Sequence, residues 1–380
     1  MKTNLWMFGL PEKKPEQALK ILSESGFTHL SLPRNNNLIK LALDYGFKVY
    51  VFCKTFGLEN KFRRAEYLAE DIYGRKYIWF GSGCPNNLEL RQKNLEWIED
   101  TATQVDISGI SLDGIRFSSP GSGIEAFFTC FCETCRRKAE DLGYDFEKMR
   151  GDLQRLYESF EKPKFLKYVS SAVEDPLMLL DFLTDFRGVV EWLSFRADCI
   201  AEHVRDARNL LKSIDPELEL GAYIFTPSLS SLVGQDYRML SLYLDVLQPM
   251  IYRLGKGVAC YNHELAVLAE DLSRLTSLPL SNTLSLVYKL AGVSEFNPPL
   301  DLNKLKESGL PLEIVSKEAL RAQQIALGKR VEPIIMLRDP QVEDATRKVL
   351  SAGCSGVNFF IYKEGFEDKI RKIGEVVRES

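Results

Sequence analysis

The sequence predicts an α/β chain folded as a (β/α)8 TIM barrel, with long βα-loop insertions on the C-terminal face. Three observations predict it. Helical patterns stop at a glycine and run straight into β-branched or aromatic stretches. The unit recurs at roughly 20–25 residues, the spacing of βα modules that build a parallel sheet. Eight such stretches can be counted, beginning near Asn4, Thr28, Lys48, Gly109, Glu219, Val246, Val331 and Gly356.

The units are explicit. Ala18, Leu19, Ile21 and Leu22 precede Gly26, and Phe27-Thr28-His29-Leu30-Ser31-Leu32 follows. Leu38, Ile39, Leu41 and Ala42 precede Gly46, and Phe47-Lys48-Val49-Tyr50-Val51-Phe52 follows. Ala345, Val349 and Leu350 precede Gly353, and the chain continues as Gly356-Val357-Asn358-Phe359-Phe360-Ile361-Tyr362. Between strands the clearest helix spans Trp192 to Ile214, with Phe195, Cys199, Ile200, Val204, Ala207, Leu210 and Leu211 on one face. Asp215-Pro216 stops it. Insertions fall at about 57–105, 118–190 and 254–320, all after strand ends, on the rim where barrel enzymes work. Residues 1–380 read as one barrel domain, with a helical insertion at about 118–190. An open doubly wound sheet is the alternative; no Gly-x-Gly-x-x-Gly follows the first strand to support it.

Composition narrows the function. Lys+Arg is 49 and Asp+Glu 53, a net charge of −4, which argues against general nucleic-acid binding. No apolar run reaches the length of a membrane span. The stretch Leu5-Trp6-Met7-Phe8-Gly9-Leu10 is too short and too aromatic for a signal-peptide core, so the expected location is cytoplasmic.

Cysteine spacing carries the first chemical signal. Cys130-Phe131-Cys132-Glu133-Thr134-Cys135 is a Cys-x-Cys-x2-Cys run after strand four, and Cys84 lies in the preceding insertion. Four thiolates close a tetrahedral zinc site, which would be structural and would pin two rim loops together. Unligated loop cysteines, or an iron–sulfur cluster, are the alternatives. Cys53, Cys199, Cys260 and Cys354 sit in apolar patterns and read as core residues.

The second signal is the strand Gly109-Ile110-Ser111-Leu112-Asp113-Gly114-Ile115-Arg116-Phe117. Asp113 at its end would face the barrel mouth, with Arg116 near enough to hold it ionised as a nucleophile or base. A buried Asp–Arg pair that fixes the loop is the other reading. Glycoside hydrolysis needs two carboxyl groups flanking the sugar oxygen. Glu264 and Asp236 are the favoured partners of Asp113, although either could simply serve a helix start. Arg116, Tyr223, Tyr252 and Arg253 are candidate substrate contacts. Of the three histidines, His203 reads as a core residue, and only His263 lies near the rim.

These stretches resemble glycoside-hydrolase-like barrels. Gly109–Phe117 is similar to a strand-four pattern Gly-Ile-x-Phe-Asp-x-Ile-Arg-Tyr, with Leu112 and Phe117 substituted and Asp113 and Arg116 matching. Trp192-Leu193-Ser194-Phe195-Arg196 and Asp245-Val246-Leu247-Gln248-Pro249-Met250-Ile251-Tyr252 match two further motifs of such barrels. Cys84, Cys130, Cys132 and Cys135 resemble the zinc cluster of family-42 β-galactosidases. The resemblance covers roughly residues 80–255 and implies a carbohydrate substrate and a structural zinc; related barrels often associate as homo-oligomers, but nothing in this sequence demands it. One departure stands out. Family-42 enzymes carry Asn-Glu at strand four; here Leu112-Asp113-Gly114 stands there, and Leu337-Arg338-Asp339 ends strand seven without a glutamate. By position, Asp113 is nearer to the nucleophile of α-glycosidase barrels.

The sequence therefore leads to a glycosidase with Asp113 as nucleophile or base and Glu264 or Asp236 as acid. A non-catalytic carbohydrate-binding barrel is one alternative. A sugar isomerase or aldolase, using a lysine such as Lys54 or an open metal site, is another.

Overall fold

The computed structural model describes residues 3–59 and 63–379, the side chains at 163, 164, 166 and 167 aside. Eight parallel strands form the core: β1 (Asn4–Phe8), β2 (His29–Leu32), β3 (Lys48–Lys54), β4 (Gly109–Asp113), β5 (Glu219–Phe225), β6 (Val246–Met250), β7 in two pieces (Arg330–Val331 and Ile334–Met336) and β8 (Gly356–Phe360). Their order follows the chain, and the sheet closes on itself. Both pieces of β7 pair with β6, at Val246↔Arg330 and Met250↔Ile334. β8 pairs with β7 at Ile334↔Asn358 and with β1 at Asn4↔Gly356. The (β/α)8 expectation holds. The break in β7 falls at Glu332-Pro333, where proline has no N–H for the ladder.

Each inserted segment leaves the C-terminal end of a strand. A two-stranded hairpin (Ala69–Glu70 with Lys76–Tyr77) lies between β3 and the helix Leu88–Gln104. Helices Glu133–Leu142, Phe146–Ser159, Pro163–Glu174 and Pro176–Asp185 lie between β4 and the long helix Arg187–Ile214. That helix begins five residues before the start read from its apolar face. At Gly188 a Cβ would meet the Lys148 carbonyl at 2.4 Å, so close backbone packing, invisible to periodicity, sets its first turn. Among the described residues no helix is long and apolar enough to cross a membrane.

The barrel interior is layered, because alternate strand residues point inward. Near the bottom, Trp6 stacks on His29 at 4.4 Å, and Arg330 pairs with Glu219 at 2.7 Å. The next layer holds Ser31, Ser111, Gln248 and Asn358, all fully buried. Above it lie rings: Phe8 packs against Phe52 at 4.6 Å and Phe360 at 4.8 Å. These rings are the floor of what lies at the mouth.

Candidate functional site

A cavity of about 260 Å³ opens at the C-terminal mouth of the barrel. Phe8, Phe360, Met250, Ile334 and Met336 supply its apolar surface. Asp113, Arg116, Tyr223, Tyr252 and Lys256 supply its polar groups.

Asp113 is the last residue of β4, in register with Lys54 of β3. The residue is half-buried and lines the cavity. Among the described residues it enters no ion pair within 4 Å. Burial raises its pKa above the usual aspartate value, and the nearby charges of Arg116 and Lys54 only partly oppose that. Arg116 pulls toward the ionised form, as the sequence suggested, while burial sets the net direction.

Arg116 is 2% exposed. Its guanidinium lies between the rings of Trp79 and Phe225, 4.7 Å from each centroid. Nη1 donates to the Phe117 carbonyl at 2.9 Å. Burial pulls its pKa down to about 10, with Glu264 and Asp113 pulling the other way, so it stays cationic at neutral pH. Among the described residues the Tyr223 hydroxyl makes no hydrogen bond within 3.5 Å; it is directed at the hydroxyls of Ser31 and Ser111. Burial raises the pKa of Tyr223 and of Tyr252, so both stay protonated. The Tyr252 ring lies 5.7 Å from Phe360 and closes one side of the floor.

The other sequence candidates sit elsewhere. Glu264 is 1% exposed, in the first turn of the helix Tyr261–Thr276. Its carboxylate accepts from Ser119 Oγ at 3.0 Å, from the Ala259 amide at 2.8 Å and from the Gly121 amide. It ties the loop after β4 to the loop after β6, behind the cavity wall. Asp236 accepts from the Met239 amide at 3.0 Å as the N-cap of Tyr237–Ser241, and it lines a separate surface hollow. Arg253 turns away from the cavity to pair with Asp339 at 2.5 Å and to donate to the Leu310 carbonyl at 2.8 Å. Lys54 donates to the Phe80 carbonyl and lines a neighbouring hollow with Trp97. The cavity thus gathers Asp113, Arg116, Tyr223 and Tyr252, and leaves out Glu264, Asp236 and Arg253.

Sequence reasoning missed Phe80 and Lys256. Both come from rim loops whose path no periodicity encodes. The one local signal was the run Gly255-Lys256-Gly257, a lysine held between two glycines after a strand end.

The second centre lies to one side. The Sγ atoms of Cys84, Cys130, Cys132 and Cys135 are buried and lie within 4.8 Å of one another. Cys84 is 3.4 Å from Cys135 and 3.6 Å from Cys132. A tetrahedral four-sulfur site needs sulfurs about 3.8 Å apart, from Zn–S bonds near 2.3 Å. Amides point at the sulfurs: Asn86 N reaches Cys84 at 3.4 Å, Asn86 Nδ2 reaches Cys135 at 3.3 Å, and Glu70 N reaches Cys130 at 3.4 Å. Such donors stabilise thiolates, so the residues fit a metal ion. Cys53, Cys199, Cys260 and Cys354 lie outside this cluster, and burial pushes each thiol up to about 12, as expected of inert core cysteines.

No protein-family model and no curated protein sequence matches the chain. Solved structures do. The chain is similar to the PgaB (BpsB) glycoside hydrolase domain from Bordetella bronchiseptica, with a TM-score of 0.56 and 10% identity over 98% of this chain and 99% of that one. It is similar to a β-galactosidase from the psychrophilic Marinomonas ef1, with a TM-score of 0.60 and 12% identity over 99% of this chain and 59% of that one. A third likeness is the catalytic domain of β-amylase from Paenibacillus polymyxa, with a TM-score of 0.53 and 12% identity over 98% of this chain and 94% of that one. The chain thus spans little more than half of the β-galactosidase. What these likenesses establish is the fold: the chain shares the closed (β/α)8 barrel architecture of these solved structures.

Proposed function

We propose that the chain is a glycoside hydrolase that works on a carbohydrate at the barrel mouth, with Asp113 as its working carboxyl and a structural zinc on Cys84, Cys130, Cys132 and Cys135. One observation carries the reading. An aspartate at the end of a barrel strand stands unpaired and reachable over a floor of aromatic rings, a surface suited to the apolar face of a sugar. Burial raises its pKa above the usual aspartate value, the direction that suits a general acid. The chemistry it offers is acid catalysis first. Asp113 gives its proton to the glycosidic oxygen as the carbon–oxygen bond breaks; water then adds to the anomeric carbon and returns a proton to the carboxylate. Arg116 and Tyr252 position the sugar, and the ring of Tyr223 packs beneath it. In this reading Glu264, Asp236 and Arg253 hold the rim loops in place. A zinc ion on four thiolates has no open position, so it supplies rigidity.

A second reading has its own observation. Among the described residues that line the cavity, Asp113 is the only carboxylate, whereas most glycosidases use two. That favours a barrel that binds carbohydrate without cleaving it.

A panel of aryl glycosides and oligosaccharides separates the two. The expected outcome is turnover by the native chain and a loss of about 10²–10⁴-fold in Asp113→Asn, with sugar binding retained. Binding without turnover by the native chain establishes the second reading. Undiminished turnover in Asp113→Asn removes the aspartate from the chemistry.

A further inference from the structure

The chain as a whole is acidic, with a net charge of −4, yet its barrel mouth is cationic. Arg116 and Lys256 line the cavity. Lys54 stands against its wall, with Nζ 4.5 Å from the Phe80 centroid. Arg338, at the end of β7, lies against the loop after β6: a Cβ on Gly255 would be 3.3 Å from its Nη2. Within the lining Arg116 and Lys256 face Asp113 alone; Lys54 and Arg338 lie just outside it, and Glu264 acts on Arg116 from behind the wall. Among the described residues, neither Lys256 nor Arg338 enters an ion pair.

Arg116 makes this a built site. An arginine that is 2% exposed is ordinarily matched to a carboxylate. Here Asp113 and Glu264 act on it only from beyond ion-pair distance. Two aromatic rings lie 4.7 Å from the guanidinium carbon, and a single hydrogen bond, to the Phe117 carbonyl, anchors one nitrogen. The remaining donors of the fork make no hydrogen bond within the described protein. A rigid guanidinium with free donors on a cavity wall has the geometry of a two-point oxyanion receptor. Lys256, half a loop away and exposed, adds a movable second charge.

We infer that the cavity takes a sugar bearing an oxyanion, a carboxylate or a sulfate ester, which the Arg116 guanidinium receives and Lys256 supports beside Asp113. This rests on the carbohydrate reading of the cavity and names its substrate class. Asp113 is compatible with it. Its carboxyl lies beyond ion-pair distance of Arg116, which leaves the free donors of that guanidinium to the incoming anion.

Calorimetry on the full chain tests the inference with three probes: a glucuronate-containing trisaccharide, its neutral glucose counterpart and a sulfated trisaccharide of the same length. The expected result is that at least one anionic probe binds about tenfold more tightly than the neutral one. That preference should fall with added salt and shrink in Arg116→Gln and Lys256→Gln. Lys256 is exposed, so its variant remains informative if the buried arginine variant fails to fold. The uronate and sulfate arms separate the two sources of the oxyanion. Equal or tighter binding of the neutral sugar overturns the inference while leaving the carbohydrate reading in place. An anionic preference that survives both substitutions also overturns it. Binding of none of the three probes overturns the inference together with the reading on which it rests.

Discussion

At Asp113 burial and charge pull in opposite directions. Enclosure in the barrel mouth favours the neutral carboxyl; Arg116 and Lys54 favour the charged one, and enclosure prevails. The consequence for stability has a definite sign. A carboxyl whose pKa is higher folded than unfolded supports the fold fully below the unfolded value, and that support is lost as pH rises through the folded value. Asp113→Asn should therefore be more stable than the native chain at neutral pH, by ~1 kcal/mol, the usual gain when a functional charge is removed. The difference should vanish in acid, below about pH 4. Urea unfolding at several pH values measures it; a variant less stable at neutral pH would show that the ionised carboxylate is fully compensated. Glu264 is also buried and also raised, but its oxygens are occupied by Ser119 and two backbone amides. Glu264→Ala should cost about 3 kcal/mol, since it leaves buried N–H groups unpaired. A variant that keeps full stability but loses turnover would instead give Glu264 a direct part in the chemistry.

The elements that shape the cavity are the insertions, and the cysteine centre holds two of them together. Cys84 belongs to the segment between β3 and the helix Leu88–Gln104; Cys130, Cys132 and Cys135 belong to the segment after β4. Trp79 and Phe80, from the first of these, supply the wall against which Arg116 stacks. A metal ion held at the cysteines would therefore set the cavity wall through the loop that carries both Cys84 and these rings. Elemental analysis should find about one zinc per chain. Chelation should lower the melting midpoint by more than about 5 °C and open these two segments to limited proteolysis, while far-ultraviolet circular dichroism of the barrel persists. Unchanged protease resistance after complete metal removal would separate the centre from the wall.

Across the whole molecule, the acid limit of stability follows from histidines that the site does not use. Burial lowers His29 to about 3, with Lys48 and Arg330 adding to the effect. Burial and Arg91 lower His203 to about 3 against the pull of Glu202. Both stay neutral in the fold and would take up protons on unfolding near pH 6.5. The unfolded chain thus binds more protons, so stability falls as pH drops from about 6.5 toward about 3, by several kcal/mol in sum. His203 Nε2 and Asn94 Oδ1 lie 2.8 Å apart, and the amide of His203→Gln can replace that contact. The variant should flatten the acid limb in pH-dependent urea unfolding. An unchanged slope would exclude His203 as its source.

Much of this molecule was written in local pattern. Strand starts read from glycine-to-apolar transitions fall within one residue of those observed, because a buried parallel strand must be an apolar run and a helix must end before it. Asp113 was found the same way, as a lone acid terminating such a run. The four-cysteine group was legible because its ligands are chemically distinctive and three of them are close in sequence. The partner of Asp113 was not. Glu264 and Asp236 have the right residue type at plausible loop positions, but a carboxylate serves an amide cap as readily as a substrate, and only the path of the loops decides between them. Arg253 likewise had a strand-end position and turned outward to Asp339. Sequence by itself determined the closed ring of strands, the aspartate on its rim and the cysteine cluster, because each follows from short-range periodicity or ligand chemistry. Only the tertiary structure decided which polar groups share the cavity, because that depends on how long insertions, fixed by packing and by contacts far apart in the chain, fold back over the barrel mouth.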